Sequence, residues 1–189
     1  TAEPTPDAQI ASADLAFDRA AFTRFSGVGT AQFDELRLGD SWEAVVDESA
    51  LDFVLQAPVS ADGFSTLDYS SGGVINGVAS YIAGFDAAWT SIGSAITPAG
   101  SLGYPGLGTA GENRVQLNGT DVVSRPLLAG NNGPLGNFID DDGSIGASRD
   151  GTALYLSLLM QVDGVAPPTA TFSLYKGDTT AADRQFRIL

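Results

Sequence analysis

The chain of 189 residues carries 23 Asp+Glu against 9 Lys+Arg, a formal net charge of −14, and it contains neither Cys nor His. That composition excludes disulfides, thiolate and imidazole metal sites, and every catalytic device built on Cys or His. The excess of acid argues against nucleic acid and anionic membrane as partners, because neutralising phosphate takes clusters of Lys and Arg.

The choice of residues points to turns. Of the acidic residues 18 are Asp, of the basic residues 8 are Arg, and Lys176 is the lone lysine, alongside 23 Gly and 9 Pro. Asp is a poor helix former and a good turn residue, so the chain reads as an all-β protein with many turns. The acid reads as a solvated surface; the sharper alternative is a saline or calcium-rich exterior. No apolar stretch approaches the roughly 18 residues of a membrane-spanning helix. The longest, Leu154–Val162, is interrupted by Ser157 and Gln161. Thr1 in place of Met reads as a mature or excised start, with any export signal removed.

In chain order, residues 1–9 form an extended, Pro-punctuated lead-in. Ala13–Phe25 favours strand over helix, and Gly27-Val28-Gly29 is a turn. Ala31–Leu38 is a strong strand, with Phe33, Glu35 and Arg37 expected on one face and Asp34, Leu36 and Leu38 on the other. Asp40–Val46 starts a helical turn capped by Asp40 or Ser41. Asp47–Asp62 reads as a junction holding a short strand, Leu51–Leu55. Gly63–Ala88 reads as loops with short strands, and Ile92–Ile96 is weakly apolar. Val115–Leu117 and Val122-Val123 flank Asn118-Gly119, a favoured hairpin dipeptide. Asn131–Asp150 reads as one long polar loop. Thr152–Val162 is apolar on both faces and is expected centrally in a sheet or between layers. Thr169–Tyr175 alternates cleanly, with Ala170, Phe172 and Leu174 on one side, and Phe186–Leu189 looks like the inside of another strand. Short strands between Gly, Asp and Pro turns indicate a β-sandwich.

Several stretches resemble laminin-G-like, concanavalin A-like jelly-roll modules of exported bacterial surface proteins. Phe33–Val46 (FDELRLGDSWEAVV) resembles the closing strand of such a module, and Gly84–Trp89 (GFDAAW) resembles its opening segment. Leu102–Leu107 (LGYPGL), Val123-Ser124-Arg125 and Gly151–Leu159 (GTALYLSLL) match later landmarks of its first half. The order is inverted: residues 1–47 read as the tail of one module, 48–62 as a junction, and 63–189 as the front of the next. Three explanations stand side by side. The chain is a fragment of a tandem protein or its order reflects a divergent family, or the tail completes the front as a circular permutation in one compact sandwich, or a neighbour supplies the missing strands.

Asp140, Asp141 and Asp142, with Asp150 nearby, form the densest oxygen cluster and are the candidate calcium ligands, against the alternative of a solvated acidic turn. The spacing is not that of an EF-hand, since Ile145 stands where Gly is required. Calcium is the sole cofactor candidate. Tyr69, Tyr81 and Tyr104, with Trp42 and Trp89, are the aromatics to which a sugar would stack, core packing being the alternative. Glu35 is expected to pair with Arg37 and not to act as one of two glycosidase carboxylates. No nucleophile elbow is present, and the expectation is that the chain is not an enzyme. The favoured expectation is an extracellular or cell-surface structural or adhesive module. It would associate with copies of itself by strand pairing or head-to-tail contact, into a surface assembly or filament. The alternative is a calcium-assisted, lectin-like module that binds glycans. Neither involves nucleic acid or membrane insertion.

Overall fold

The computed structural model describes residues 16–26, 28–39, 41, 44–45, 60–79, 84–103, 112–128, 135, 138, 144–146, 154–164, 169–180, 182 and 184–188. Its first strands are β1 (Ala16–Phe17), β2 (Arg19–Ser26), β3 (Thr30–Gly39), β4 (Ser60–Asp62) and β5 (Gly73–Val74). Next come β6 (Thr90–Ile92), β7 (Ile96–Thr97), β8 (Val115–Leu117) and β9 (Val122–Pro126). The last are β10 (Ile145–Gly146), β11 (Tyr155–Asp163), β12 (Thr169–Tyr175) and β13 (Arg184–Ile188).

The strands build an antiparallel β-sandwich, the all-β class expected from the composition. One sheet runs β11-β3-β8-β7-β5, with β4 also on β3; the other runs β13-β12-β2-β9-β6. A two-residue pair, β1 with β10, forms a small sheet of its own, with Phe17 and Ile145 in the shared core. The interior strands β2 and β3 come from the segment 1–47, and each pairs on both edges with strands from later in the chain. Among the described residues no helix is long and apolar enough to cross a membrane.

β3 departs from the alternation expected of it. Phe33, Leu36 and Leu38 all belong to the same buried core, although strict period two would put Phe33 opposite the leucines. The phase reverses at Glu35, whose φ is +52°. The register with β11 shifts at the same point, between Ser157 and Leu159. This is a β-bulge. A non-glycine residue in the left-handed region costs about 1–2 kcal/mol. Fully burying two leucines contributes roughly 1.5–3 kcal/mol each, so burial decides the geometry. The bulge also divides the far edge of β3: Ala31–Phe33 pair with β8, and Leu36–Leu38 pair with β4.

The hairpin expected at Asn118-Gly119 is a corner instead. β8 bonds to β3 and β7 in one sheet, whereas β9 bonds to β2 and β6 in the other. Asp121 fixes the corner. Its Oδ2 accepts the Asn118 N–H at 2.8 Å, its Oδ1 accepts the Ser94 N–H at 3.1 Å, and its carbonyl accepts the Arg24 N–H at 2.8 Å. The β2–β3, β6–β7 and β11–β12 connections also change sheets. Two of these corners touch: a Cβ at Gly29 (φ +115°) would lie 1.8 Å from the Asp163 carbonyl oxygen.

β11 is not central as expected. Among the described residues it pairs with β3 alone and ends its sheet. Leu156, Leu158, Met160 and Val162 pack on the core, while Gln161 and Asp163 are exposed. An apolar run marks burial, but it does not say whether a second strand lies alongside. The stretch read as one polar loop also contributes to the interior, since Leu135, Phe138 and Ile145 are buried and Ile145–Gly146 pairs with β1. Ala170, Phe172 and Leu174 of β12 do share the core face, and β13 does form. Ala44 and Val45 form a helical turn whose Ala44 N–H is capped by Ser41 Oγ at 3.2 Å. Residues 60–62 of the expected junction form β4, while the strand expected at Leu51–Leu55 lies outside the described residues. Across the sandwich, Phe22 stacks on Phe33 at 4.5 Å and contacts Trp89 and Phe172 at 5.7 and 5.8 Å between centroids.

Candidate functional site

Among the described residues a concentrated polar network is sealed inside the fold. β4 ends at Asp62, whose Oδ1 accepts the Phe64 N–H at 3.1 Å. Phe64, at φ +52°, turns the chain, and a single helical turn follows in which the Tyr69 N–H bonds the Ser65 carbonyl at 2.9 Å. That turn returns the Tyr69 hydroxyl to donate to Asp62 Oδ2 at 2.5 Å. The same oxygen accepts Trp89 Nε1–H at 3.0 Å and Arg125 Nη1–H at 3.1 Å. Arg125 Nε donates to the Ala87 carbonyl at 2.6 Å, and the guanidinium lies 4.7 Å above the Phe85 ring centroid. Asp62 has no exposed surface and Arg125 almost none. Burial raises the Asp62 pKa, and it is opposed by Tyr69, the Phe64 N–H, Trp89 and the charge of Arg125. A carboxylate so enclosed reaches no substrate. Its chemistry is structural: it joins β4, the 64–69 turn, the segment before β6, and β9.

A second acidic group lies at the β3 bulge. Asp34 Oδ1 accepts the Glu35 N–H at 2.9 Å, and Oδ2 accepts the Leu102 N–H at 2.8 Å. Burial pushes the Asp34 carboxyl up to about 7, with the Glu35 charge adding to the effect and the two N–H groups opposing it. Glu35 pairs with Arg37 at 2.8 Å, the ion pair expected from the sequence.

Two hollows are lined by described residues. One, of about 410 Å³, is lined by Asp18, Arg19, Asp86 and Asp178 among others. Within it Asp18 accepts the Gly177 N–H, and Arg19 Nε donates to the Gly177 carbonyl. The other, of about 280 Å³, lies on the outer face of the β13-β12-β2-β9-β6 sheet.

Of the candidates named from the sequence, Tyr69 and Trp89 fall among the described residues. Tyr69, expected to offer its ring to a sugar, is 1 % exposed and turned into the core with its hydroxyl on Asp62. An inward carboxylate gave this phenol a partner, so the ring has no face for a ligand. Trp89 is buried beside it. Tyr81, Tyr104, Trp42 and the carboxylates Asp140, Asp141, Asp142 and Asp150 lie outside the described residues. Among the described residues no three His, Cys, Asp or Glu side chains are grouped to hold a metal ion. Asp62 was not singled out from the sequence, and Arg125 entered only as part of the Val123-Ser124-Arg125 landmark, not as half of a buried pair. The available signal was alternation: if Val123 faces inward, Arg125 does too, and a buried guanidinium demands a buried acid.

Comparison with known proteins supplies no relative: no family model, curated protein or solved structure matches the chain.

Two outcomes test this description. Arg125→Met strands the Asp62 carboxylate in the core, and urea unfolding is expected to show a loss of about 3–5 kcal/mol. Adding Asp62→Asn should restore part of it; a loss below about 1 kcal/mol would contradict the ion pair's role. Between the ordinary carboxylate range and about 7, folded Asp34 retains a proton that the unfolded chain has released. Its contribution to stability is therefore fully present below the unfolded pKa and is lost as pH rises through about 7. Melting curves of the wild type and Asp34→Asn should diverge across that window, the wild type losing ground as pH rises. A constant difference would refute the raised pKa.

Proposed function

We propose that the chain is a non-catalytic, extracellular or cell-surface module that associates with copies of itself by adding strands edge to edge, in a surface assembly or filament. The observation that carries this reading is β11. Exposed sheet edges are ready templates for pairing, and proteins blunt them by keeping them short or by placing charge or Pro on them. The other described end strands follow that practice: β5 and β6 have two and three residues, and β13 carries Arg184 and Arg187. β11 has nine residues, and its one charge, Asp163, stands at its last position, so the stretch Tyr155–Val162 is long and uncharged. With its even-numbered side chains on the core, Tyr155, Ser157, Leu159 and Gln161 face the other way, without a charge among them.

The absence of catalysis is supported by the way the ionisable groups are used. Asp62 and Arg125 are enclosed, and Glu35 is paired. The repeated change of sheet at the β2–β3, β6–β7, β8–β9 and β11–β12 corners supports a jelly-roll, concanavalin-like arrangement, with the tail segment 1–47 completing the sandwich within one chain.

Sedimentation over a range of concentrations tests the reading. The wild type is expected to form species larger than a monomer, and Leu159→Lys, which places a charge on the open edge, to weaken association roughly tenfold with an unchanged circular dichroism spectrum. A wild type that stays monomeric at every concentration would sink the proposal.

A further inference from the structure

We infer that the groove on the outer face of the five-stranded sheet is a carboxylate-binding site that takes an acidic segment of a second copy of this chain. This rests on the self-association proposed above and supplies its second contact. Two β11 edges meeting antiparallel form a closed pair. A filament needs another, different contact.

The groove's arginines are exceptional in the molecule. Arg19 bonds the Gly177 carbonyl, Arg24 the Gly119 carbonyl, Arg37 Glu35, Arg114 Gln32, and Arg125 Asp62. Lys176 is engaged as well. Among the described basic residues only Arg184 and Arg187 have no hydrogen bond or ion pair, and both line this groove. In a chain with 23 acids and 9 bases, two unpaired guanidiniums at one place are not what random surface pairing leaves. Their placement is built. The β12–β13 register shifts between Leu174 and Tyr175, so that Arg187 stands opposite Ser173 and Arg184 opposite Tyr175. Ser173 and Tyr175 are alternate residues on the outward face of β12, opposite to core-facing Leu174. The bulge thus brings two arginines three positions apart onto one face.

The floor beneath them is polar and unsatisfied. Thr23 lines the groove at 3 % exposure, and its Oγ1 has no hydrogen-bond partner. Buried polar atoms in folded proteins are normally paired, so this orphan hydroxyl at the groove marks a place where an acceptor is missing. Guanidinium forks beside a hydroxyl donor match a carboxylate. Phe25, which is exposed, and Val122 supply an apolar wall for the remainder of a peptide. The occupant follows from charge: every further copy of this chain brings a large excess of carboxylates to a groove whose charged residues, among those described, are the two arginines.

The test is sedimentation of the full chain and of Arg184→Gln/Arg187→Gln at low and high salt, about 0.05 and about 0.5 M. The wild type is expected to extend beyond a pair, and the double variant or high salt to stop it at the pair, with at least about tenfold weaker extension. A hexa-aspartate peptide should shift the amide resonances of Thr23 and Tyr175 and block extension, and a hexa-asparagine peptide should do neither. If the wild type and the double variant extend equally, the groove proposal falls while strand pairing stands. If nothing associates, both fall. If an acidic oligosaccharide such as polygalacturonate shifts those resonances and hexa-aspartate does not, the occupant is not a second copy and the proposal is overturned.

Discussion

The carboxylate of Asp62 is the point on which the sandwich depends. It has no solvent to neutralise it, so the fold must bring it donors, and those donors come from parts of the chain far apart in sequence. Phe64 and Tyr69 arrive by a local turn, Trp89 from the segment before β6, and Arg125 from β9 in the opposite sheet. A buried ion pair is a poor source of net stability, because desolvation consumes most of the attraction. It is a strict condition on geometry, however. Any packing that separates Arg125 from Asp62 leaves two uncompensated charges in a core made of Phe22, Phe33, Phe64 and Trp89. In a chain without disulfides, that condition selects one way of closing the two sheets over each other.

The charges therefore divide into two populations with opposite duties. Those inside, Asp62 with Arg125 and Glu35 with Arg37, fix register and are unavailable to ligands. Those outside sum to a strong negative field that keeps copies apart at long range. Association against that field needs contacts that do not rely on bulk charge. In the proposed assembly backbone pairing along β11 would be one, since strand hydrogen bonds are indifferent to net charge. The guanidiniums of Arg184 and Arg187 would be the other, because they would convert the neighbour's excess acid from an obstacle into a ligand. Salt is expected to act on the two in different directions, screening the general repulsion and weakening the local attraction.

Much of the fold was legible in the sequence. Strands β2, β3, β12 and β13 fall where alternation and turn residues place them, and the Glu35–Arg37 pair follows from their spacing. What was missed was set by tertiary context. The bulge at Glu35 has no local signature, because its cause is the burial of Leu36 and Leu38 by partners remote in sequence. Asn118-Gly119 has the chemistry of a tight turn, but that chemistry does not say whether the next strand returns to the same sheet. Asp121, three positions after Asn118, is what commits it to a corner. The apolar run in β11 announces burial and is silent about how many of its edges are paired among the described strands. Tyr69 looked like a ligand platform because the sequence shows a phenol and hides the carboxylate it faces.

The account's central claim is that β11 is an interface between copies. Hydrogen exchange of the β11 amides as a function of protein concentration tests it most directly. The account predicts that exchange along Leu156–Val162 slows as concentration rises, while amides of β2, paired on both edges within one chain, exchange at a rate independent of concentration. Exchange in β11 that does not change with concentration, in a protein that still associates, would place the interface elsewhere and contradict the account.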